Sequence, residues 1–331
     1  MRLRPKFGIL LFVVFSVLAM VISILEANWI NLLVIDHTAQ QMKQNIKTGW
    51  QILHDRIAQL ERSIEFLSEK NELQQGDALS PASVEPLLTR YESQWQLDVL
   101  QIATPETLLS AGIHLDYTSR AAGNPIQSGF AIVSESAFGF APVPPIENNH
   151  TMILYAAVLL PAAPEPGAVL FCAVNLKGAF TLVDTIQAAI FEDLYYQGKR
   201  VGTVTIFMGV ERIATTVLKQ TGERAVGTLV SDEVAEQTLK QGVPWTGRAW
   251  VVNNWYLSQY DPIRDAKGKV IGMLYIGELE QVYLDMKWNT LWKSVLVVFI
   301  VMALAMLVSY KVSARVLQQI EALDQATLRF A

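Results

Sequence analysis

Residues 202–233 of this chain read GTVTIFMGVERIATTVLKQTGERAVGTLVSDE. The runs GTVTIFM and RIATTVL are rich in β-branched and apolar residues, which is typical of paired strands. The glycine-spaced loop GERAVGT follows, and Ser231 is suited to cap a helix that begins with Asp232 and Glu233 and ends at Gly242. The sequence shows no nucleophile elbow, metal cluster or phosphate loop in this stretch. It predicts a sheet with a loop and a helix laid across one face.

The flanking sequence extends this module and repeats its plan. Downstream, the runs WTGRAWVVNN, WYLSQYDPI and VIGMLYIGEL predict three further strands, with DAKGK at 265–269 as a hairpin loop. Upstream, LDVLQIA, GFAIVSE, HTMILYAAVLL and GAVLFCAVNL predict another set of strands within 97–183, separated by clusters of Pro, Gly and Asn. The run TLVDTIQAAIFEDLYY at 181–196 predicts a linking helix. We therefore expect an α+β chain with two mostly antiparallel sheets.

Two uncharged apolar runs bracket these sheets. The chain is 51% hydrophobic, and residues 7–25 and 294–310 carry no charged side chain. Each run is close to the roughly 20 residues that a helix needs to cross a hydrocarbon core about 30 Å thick. Basic residues precede the first run, as in a signal peptide, but no small-residue cleavage site follows it. We predict two transmembrane helices, with the first retained as an anchor.

Basic residues at the two ends of the chain predict its orientation. Arg2, Arg4 and Lys6 precede the first apolar run, and Lys311 and Arg315 follow the second. Segments rich in Lys and Arg stay in the cytoplasm. Both termini are therefore predicted to be cytoplasmic and residues 26–293 extracytoplasmic, in a two-pass protein of the bacterial inner membrane with the lipid bilayer as a partner.

The net charge argues against a nucleic-acid partner, and the cysteine content excludes an intrachain disulfide. The net charge is −5 although both ends are basic, so the outer segment carries the acidic excess. An acidic surface repels phosphates, and no nucleic-acid partner is expected. The single cysteine, Cys172, lies in the apolar run AVLFCAV and cannot form an intrachain disulfide. We predict that it is a buried strand thiol.

Residues 29–75 are predicted to form one long helix that ends near Gly76. Apolar residues recur there at alternating spacings of four and three, which is the 3.5-residue repeat of a coiled-coil seam. The seam residues are Ile46, Trp50, Leu53, Ile57, Leu60, Ile64 and Leu67. Two interpretations are open, and both can hold: the helix packs on its own domain, or it pairs with a second subunit in a homodimer.

Four motifs in residues 200–279 carry a resemblance to a known family. They are the strand RIAT, the loop GERAVGT, the strand YLSQYDPI and the terminal strand GKVIGMLYIGE. These motifs resemble the membrane-proximal part of bacterial double-Cache sensors, of the type that fuses a type-three to a type-two Cache domain. The resemblance implies two PAS-like Cache modules, each an antiparallel sheet with helical insertions, in a receptor for small molecules outside the cell. The distal module matches in layout only, and we do not find the aromatic–Arg–Trp–Tyr–Asp cluster with which some of these receptors bind amino acids.

This interpretation orders the chain into seven segments. They are a cytoplasmic tip (1–6), transmembrane helix 1 (7–25), a long membrane-rooted helix (26–80), a membrane-distal Cache module (81–185), a membrane-proximal Cache module (186–287), transmembrane helix 2 (288–310) and the start of a HAMP-like helix (311–331).

The final segment has a seam of its own, formed by Val316, Ile320, Leu323, Thr327 and Phe330. This spacing after a membrane span resembles the first helix of a HAMP relay, although the usual proline at the start of that helix is absent. The alternative is an amphipathic stop-transfer helix. A kinase, cyclase or methyl-accepting domain does not fit in this segment, so an output domain would have to follow it.

We expect neither catalysis nor a bound cofactor. His37, His54, His114 and His150 lack metal-ligand spacing, and the sequence has no Cys/His pair or phosphate-binding loop. Two functions are consistent with the pattern. One is a sensor, of the chemoreceptor or sensor histidine kinase type, that relays ligand binding to the membrane helices. The other is a membrane-anchored scaffold or interaction protein without signalling. The helical seams on both sides of the membrane favour the sensor.

Candidate ligand-binding residues in the proximal module lie on two strands. In a strand of period two, Tyr256, Ser258 and Tyr260 share a face, and Arg248 shares one with Trp250. An arginine beside tyrosine hydroxyls is suited to clamp a carboxylate, because guanidinium binds carboxylates bidentately. The alternative is a solvated arginine above core tyrosines.

The distal module offers a second candidate cluster. His114, Tyr117 and Arg120 are predicted to lie on a loop over its sheet, and Tyr155 lies on the strand HTMILYAAVLL. The alternative for the loop residues is an ordinary polar loop. With the proximal cluster, these residues predict a small-molecule ligand that carries a carboxylate.

Overall fold

The computed structural model describes residues 3–70, 73, 81–115, 126–141, 143–144, 146, 148–160 and 167–330. The chain separates into two compact units, Met1–Thr38 with Gln281–Ala331, and Ala39–Glu280. The described part of the first unit is helical, whereas the second contains all the described strands.

The second unit contains both helices and strands. The helices of the chain are α1 (Leu3–Ser68), α2 (Pro81–Trp95), α3 (Pro105–Ser110), α4 (Glu135–Phe138), α5 (Phe180–Phe191), α6 (Asp232–Val234, followed by a π-helix, Ala235–Lys240) and α7 (Glu280–Phe330). The strands are β1 (Val99–Ala103), β2 (Gln127–Ser134), β3 (His150–Leu159), β4 (Val169–Asn175), β5 (Tyr195–Tyr196), β6 (Lys199–Arg200), β7 (Gly202–Met208), β8 (Glu211–Thr215), β9 (Trp245–Val251), β10 (Asn254–Arg264) and β11 (Val270–Leu279).

The strands form antiparallel sheets, so the predicted α+β class is confirmed. A four-stranded sheet has the order β1-β4-β3-β2, and a five-stranded sheet has the order β8-β7-β11-β10-β9. The predicted hairpin loop at 265–269 joins β10 to β11. There the Gly268 N–H donates to the Asp265 carbonyl (2.9 Å), and the Asp265 carboxylate accepts from the N–H groups of Lys267 and Lys269.

The seam of α1 packs on the protein's own sheets. Leu53, Leu60, Ile64 and Leu67 are fully buried and share one core cluster with α5 and with one face of each large sheet. These side chains are therefore occupied by intrachain packing, and the idea that they also form a dimer seam is corrected. The helix ends at Ser68; the predicted stop near Gly76 lies outside the described residues.

Two small residues let α1 and the sheets approach closely. A Cβ atom on Gly49 would lie 2.9 Å from Cδ1 of Ile276 on β11, so the helix backbone lies directly on the five-stranded sheet. On the four-stranded sheet, the buried Cys172 thiol lies 3.9 Å from the Leu60 carbonyl oxygen of α1. The prediction of a buried strand thiol is confirmed, and burial raises its pKa to about 12.

The segment after Ser231 differs in part from the predicted capped helix. Ser231 has the extended backbone of an N-cap, but its side chain makes no capping hydrogen bond. Only three residues are α-helical before the backbone widens into the π-helix Ala235–Lys240. Gly242 follows with φ of +68°, a left-handed conformation that favours glycine, so this predicted helix stop is confirmed.

One helical segment of the described chain, Glu280–Val308 at the start of α7, is long and apolar enough to cross a membrane by length and composition, with a mean hydropathy of 2.5. In α1 the described apolar stretch, Ser16–Leu25, is shorter. The structure describes only some of the side chains of the predicted first span (7–25). It describes none of the side chains of the tail seam. The first span and the tail seam therefore stay predictions.

Candidate ligand-binding site

A row of five side chains crosses the five-stranded sheet on the face turned away from α1. The register pairs Thr215 with Thr205, Thr205 with Tyr275, Tyr275 with Tyr260, and Tyr260 with Trp245. Directly opposed residues of an antiparallel pair point to the same side of the sheet. All five are buried. We call this set the aromatic row.

Ring contacts and hydroxyl contacts hold the aromatic row together. The ring centroids of Tyr260 and Tyr275 lie 4.7 Å apart, and those of Trp245 and Tyr260 lie 5.7 Å apart. The hydroxyls of Thr205 and Thr215 lie 2.6 Å apart. Burial raises the pKa of Tyr260 and Tyr275 well above the ordinary value, because the phenolate would lose its hydration. Both phenols therefore stay protonated at neutral pH and can donate hydrogen bonds.

A glycine makes room for one of these phenols. A Cβ atom on Gly277 would lie 2.0 Å from the hydroxyl oxygen of Tyr275, which is incompatible with any larger residue unless the ring moves. The same hydroxyl lies 3.2 Å from the hydroxyl of Thr203 and shares a hydrogen bond with it. Tyr275 is thus fixed in orientation by its neighbours on β7 and β11.

Arg212 of β8 lies beside the aromatic row and is only 4% exposed. It is paired in register with Phe207, and its guanidinium carbon lies 5.1 Å from the centroid of that ring. Nη1 donates a hydrogen bond to the hydroxyl of Thr228. Burial lowers the pKa of Arg212, while the phenols of Tyr275 and Tyr260 act in the opposite direction. Arginine nevertheless stays protonated, so the site contains a buried positive charge.

A loop and the π-helix cover this face. The Arg212 N–H donates to the carbonyl of Thr228 (3.0 Å), and the Gly227 N–H donates to the carbonyl of Arg212 (2.9 Å), so this loop is hydrogen-bonded alongside β8. The π-helix packs on β10 and β11. At its N-terminal side, the Trp245 indole N–H donates to the carboxylate of Glu233 (3.1 Å). The predicted arrangement of sheet, loop and helix is present, and it encloses polar groups.

The structure places the predicted proximal residues on opposite faces of the sheet. Tyr256 and Tyr260 are buried on the face of the aromatic row. The register pairs Tyr256 with Ala249 and Leu257 with Arg248, so Arg248 points to the other side. The predicted clamp of Arg248 with tyrosine hydroxyls is therefore not formed.

Arg248 contacts other residues on the face of the sheet opposite Tyr256 and Tyr260. Its side chain is half exposed, and Nε lies 2.6 Å from the carboxylate of Glu280. Its guanidinium carbon lies 4.0 Å from the ring centroid of Trp255. These contacts agree with the alternative interpretation of Arg248 as a solvated strand residue.

The distal candidates are described only in part. Tyr155 is buried on the face of the four-stranded sheet that packs under α3 and α4, with its ring centroid 6.1 Å from that of Phe171. Burial raises its pKa. His114 is exposed. Tyr117 and Arg120 lie outside the described residues, so the proposed distal cluster stays a prediction.

Two surface clefts run along α1. One, of about 780 Å³, is lined by Arg56, Arg62 and the start of α5, and the other, of about 630 Å³, by Trp50 and His54. Neither is lined by a residue that the sequence predicted for ligand binding. Arg56 in the first cleft donates to the carbonyl of Gln96 (2.9 Å), so its guanidinium is used within the fold.

Arg212 is the residue that sequence reasoning missed. It is the arginine of the RIAT motif, which contributed to the family resemblance but was not predicted to bind a ligand. The signal was the strand's context, because the following residues are apolar or threonine and every residue of 212–217 is buried. A charged residue inside a continuously buried strand needs a partner, which marks it as a candidate for function.

Residues 174–290 match the family model described as Single cache domain 3. This Cache-matching segment contains α5, the whole five-stranded sheet, its cover and the start of α7. Arg212 and the aromatic row lie inside it. No curated protein matches the chain.

Solved structures of sensor domains are similar at low identity. The periplasmic domain of Vibrio cholerae LuxQ is 11% identical, with 72% of this chain and 99% of that chain covered and a TM-score of 0.44. The ligand-binding domain of Pseudomonas aeruginosa PctB, in complex with L-Gln, is 15% identical, with 76% and 93% covered and a TM-score of 0.37. The sensory domain of Campylobacter jejuni Tlp3, with isoleucine bound, is 9% identical, with 78% and 97% covered and a TM-score of 0.40.

Proposed function

We propose that this chain is the sensor region of a bacterial transmembrane receptor, of the chemoreceptor or sensor histidine kinase type. Chain continuity is the observation that carries the proposal. The last strand of the Cache-matching segment, β11, ends at Leu279, and α7 begins at Glu280. The start of α7 is long and apolar enough to cross a membrane. A displacement of β11 by a ligand would therefore act on this helix without an intervening loop.

The proposal includes the topology and modules expected from the sequence. Residues 7–25 and 288–310 cross the bacterial inner membrane, both termini are cytoplasmic, and residues 26–293 are extracytoplasmic. The four-stranded sheet belongs to a membrane-distal Cache module (81–185), and the five-stranded sheet to a membrane-proximal one (186–287). Residues 311–331 begin a HAMP-like relay helix. The chain binds its ligand and does not transform it.

We further propose a homodimer that uses the exposed side of α1. The buried seam is unavailable, but Gln44, Gln51 and Glu65 recur at intervals of seven or fourteen residues and are exposed. Residues seven apart lie close to one line along a helix. This line is the face of α1 that we expect to meet a second subunit.

The proposed ligand is a small molecule with a carboxylate, bound in one of the two modules. This proposal is tested by measuring the thermal unfolding of the full chain in lipid nanodiscs in the presence of organic acids, amino acids, amines and purines. A ligand at about 100 times its dissociation constant should add roughly 2.7 kcal/mol to the free energy of unfolding. Stabilisation by one or more carboxylates supports the proposal. If no compound of any class stabilises the chain, the sensor function is contradicted.

A further inference from the structure

A buried cation without an acidic partner is the starting observation. Among the described residues, the ion pairs do not include Arg212, although its side chain is nine-tenths buried. Its Nε is buried and has no hydrogen-bond partner in the part of the chain that the structure describes. Burying a charge without a counter-charge is costly, so such a group is retained where something else compensates it.

Arg224 shows how the same module treats an arginine with a structural role. Its two terminal nitrogens donate to the two carboxylate oxygens of Asp184 (2.9 and 2.7 Å), and Nη1 also donates to the carbonyl of Thr215 (2.7 Å). Arg224 thus has a carboxylate partner although its side chain is more exposed than that of Arg212. The contrast indicates that Arg212 keeps hydrogen-bonding capacity for a group outside the fold.

The cover carries a second polar atom without a partner. Thr238 is fully buried, and its hydroxyl makes no hydrogen bond among the described residues. It lies on the π-helix, which packs on β10 and β11, the strands of Tyr260 and Tyr275. Single turns of π-helix within α-helices occur frequently at functional sites. Sheet and cover therefore each present an unsatisfied polar group.

We infer that Arg212 is the anion clamp of the ligand site and that the ligand is a compact monocarboxylate, held over the five-stranded sheet beneath the π-helix. One guanidinium balances one carboxylate, and its unpartnered Nε and the hydroxyl of Thr238 are free to bond the ligand. The neighbouring walls, Phe207 and Tyr260, are aromatic, so they suit an apolar ligand body. This inference rests on the proposed sensor function and assigns its site to the membrane-proximal sheet.

The test uses the full chain in nanodiscs and four probe pairs: acetate, propanoate, butanoate and benzoate, each beside its amide. Thermal unfolding is measured for the wild type, for Arg212→Met, and for the paired-arginine control Arg224→Met. We expect at least one carboxylate, and no amide, to stabilise the wild type and Arg224→Met. For Arg212→Met the apparent dissociation constant should rise at least about 30-fold. Without ligand, Arg212→Met should unfold at or above the wild-type temperature, whereas Arg224→Met should unfold below it.

Arg212→Lys serves where the methionine variant does not fold, since lysine keeps the charge and loses the planar fork. It should weaken carboxylate binding at least about tenfold. The inference is overturned if none of the four carboxylates stabilises the wild type, or if stabilisation survives both Arg212 changes. If a compound outside this series stabilises every variant equally, the sensor function is supported and only the assignment of the ligand site to Arg212 is contradicted.

Discussion

Tyr275 and Ile276 are adjacent residues of β11 that face opposite sides of the five-stranded sheet. Tyr275 lies in the aromatic row, and Ile276 packs against α1, where a Cβ atom on Gly49 would be 2.9 Å from its Cδ1. Both side chains are fully buried. A ligand that displaces Tyr275 therefore changes the surface on which α1 rests, because packed cores pass displacement from one side chain to the next.

Enlarging Gly49 should disturb this contact. We expect Gly49→Leu to lower the free energy of unfolding by about 1–3 kcal/mol, because the new side chain must displace Ile276 and its neighbours from a packed core. Lys47→Leu, two residues away and exposed, is the matched control and should stay close to the wild type. Urea unfolding of the full chain, followed by tryptophan fluorescence, measures both. Equal stability of the two variants would show that α1 does not press on the sheet at this point.

The buried ion pair between Lys177 and Glu135 gives a second prediction. Lys177 Nζ lies 2.5 Å from the Glu135 carboxylate, and the two side chains are 0% and 9% exposed. Lys177→Met leaves a buried carboxylate alone and should cost about 3–5 kcal/mol. The double variant Glu135→Leu, Lys177→Met should recover part of that loss, because it removes both charges.

The exposed pair of Lys240 and Glu236 is the control for charge removal at the surface. Lys240→Met should leave the unfolding midpoint unchanged, since exposed pairs contribute little. A double variant no more stable than Lys177→Met would mean that the single change acts through lost packing and not through an isolated charge.

The Cys172 thiol predicts a dependence of stability on alkaline pH. Its pKa is raised by burial from about 9 to about 12. Above pH 9 the unfolded chain loses this proton while the folded chain keeps it, so stability is full below pH 9 and falls as the pH rises toward 12. We expect a loss of about 1 kcal/mol between pH 9 and 10, before tyrosines contribute. Cys172→Ala should remove this slope. If the stability of the wild type and of Cys172→Ala changes equally between pH 9 and 10, the raised pKa of Cys172 is contradicted.

Crosslinking tests the face of α1 that we propose for dimerisation. In a Cys172→Ser background, single cysteines at Gln44, Gln51 or Glu65 should form disulfides between subunits under mild oxidation. A cysteine at Leu53 should not, because that position is fully buried within the chain's own core. The readout is a dimer band on a non-reducing gel. Crosslinking at Leu53, or none at the three exposed positions, would refute this dimer face.

Much of the fold was accessible from sequence because its signals are local. Runs rich in β-branched and apolar residues predicted the strands of the two large sheets. Gly242 predicted a helix end and residues 265–269 predicted a hairpin loop, and the structure contains both. The long α1 helix was predicted from its seam. The sequence did not predict which surface the seam contacts, because the spacing of apolar residues is the same for a sheet of the same chain and for a second subunit.

The site was less accessible, because it depends on register between strands. The turn between β9 and β10 includes Val252 with φ of +57°. The resulting register pairs Arg248 with Leu257, so the arginine side chain lies on the other face of the sheet from the tyrosines. A one-residue change in register exchanges the two faces, and sequence alone does not fix it. The burial of Arg212 also depends on the cover formed by distant residues.

Hydrogen–deuterium exchange of the full chain in nanodiscs tests the central claim most directly: a ligand binds over the five-stranded sheet and acts on the helix that follows it. The probe is the most stabilising of acetate, propanoate, butanoate and benzoate at saturation. The account predicts slower exchange in β8 and the π-helix Ala235–Lys240, together with altered exchange in the first turns of α7. Unchanged exchange in β8 and the π-helix, or protection there with no change in α7, would contradict it.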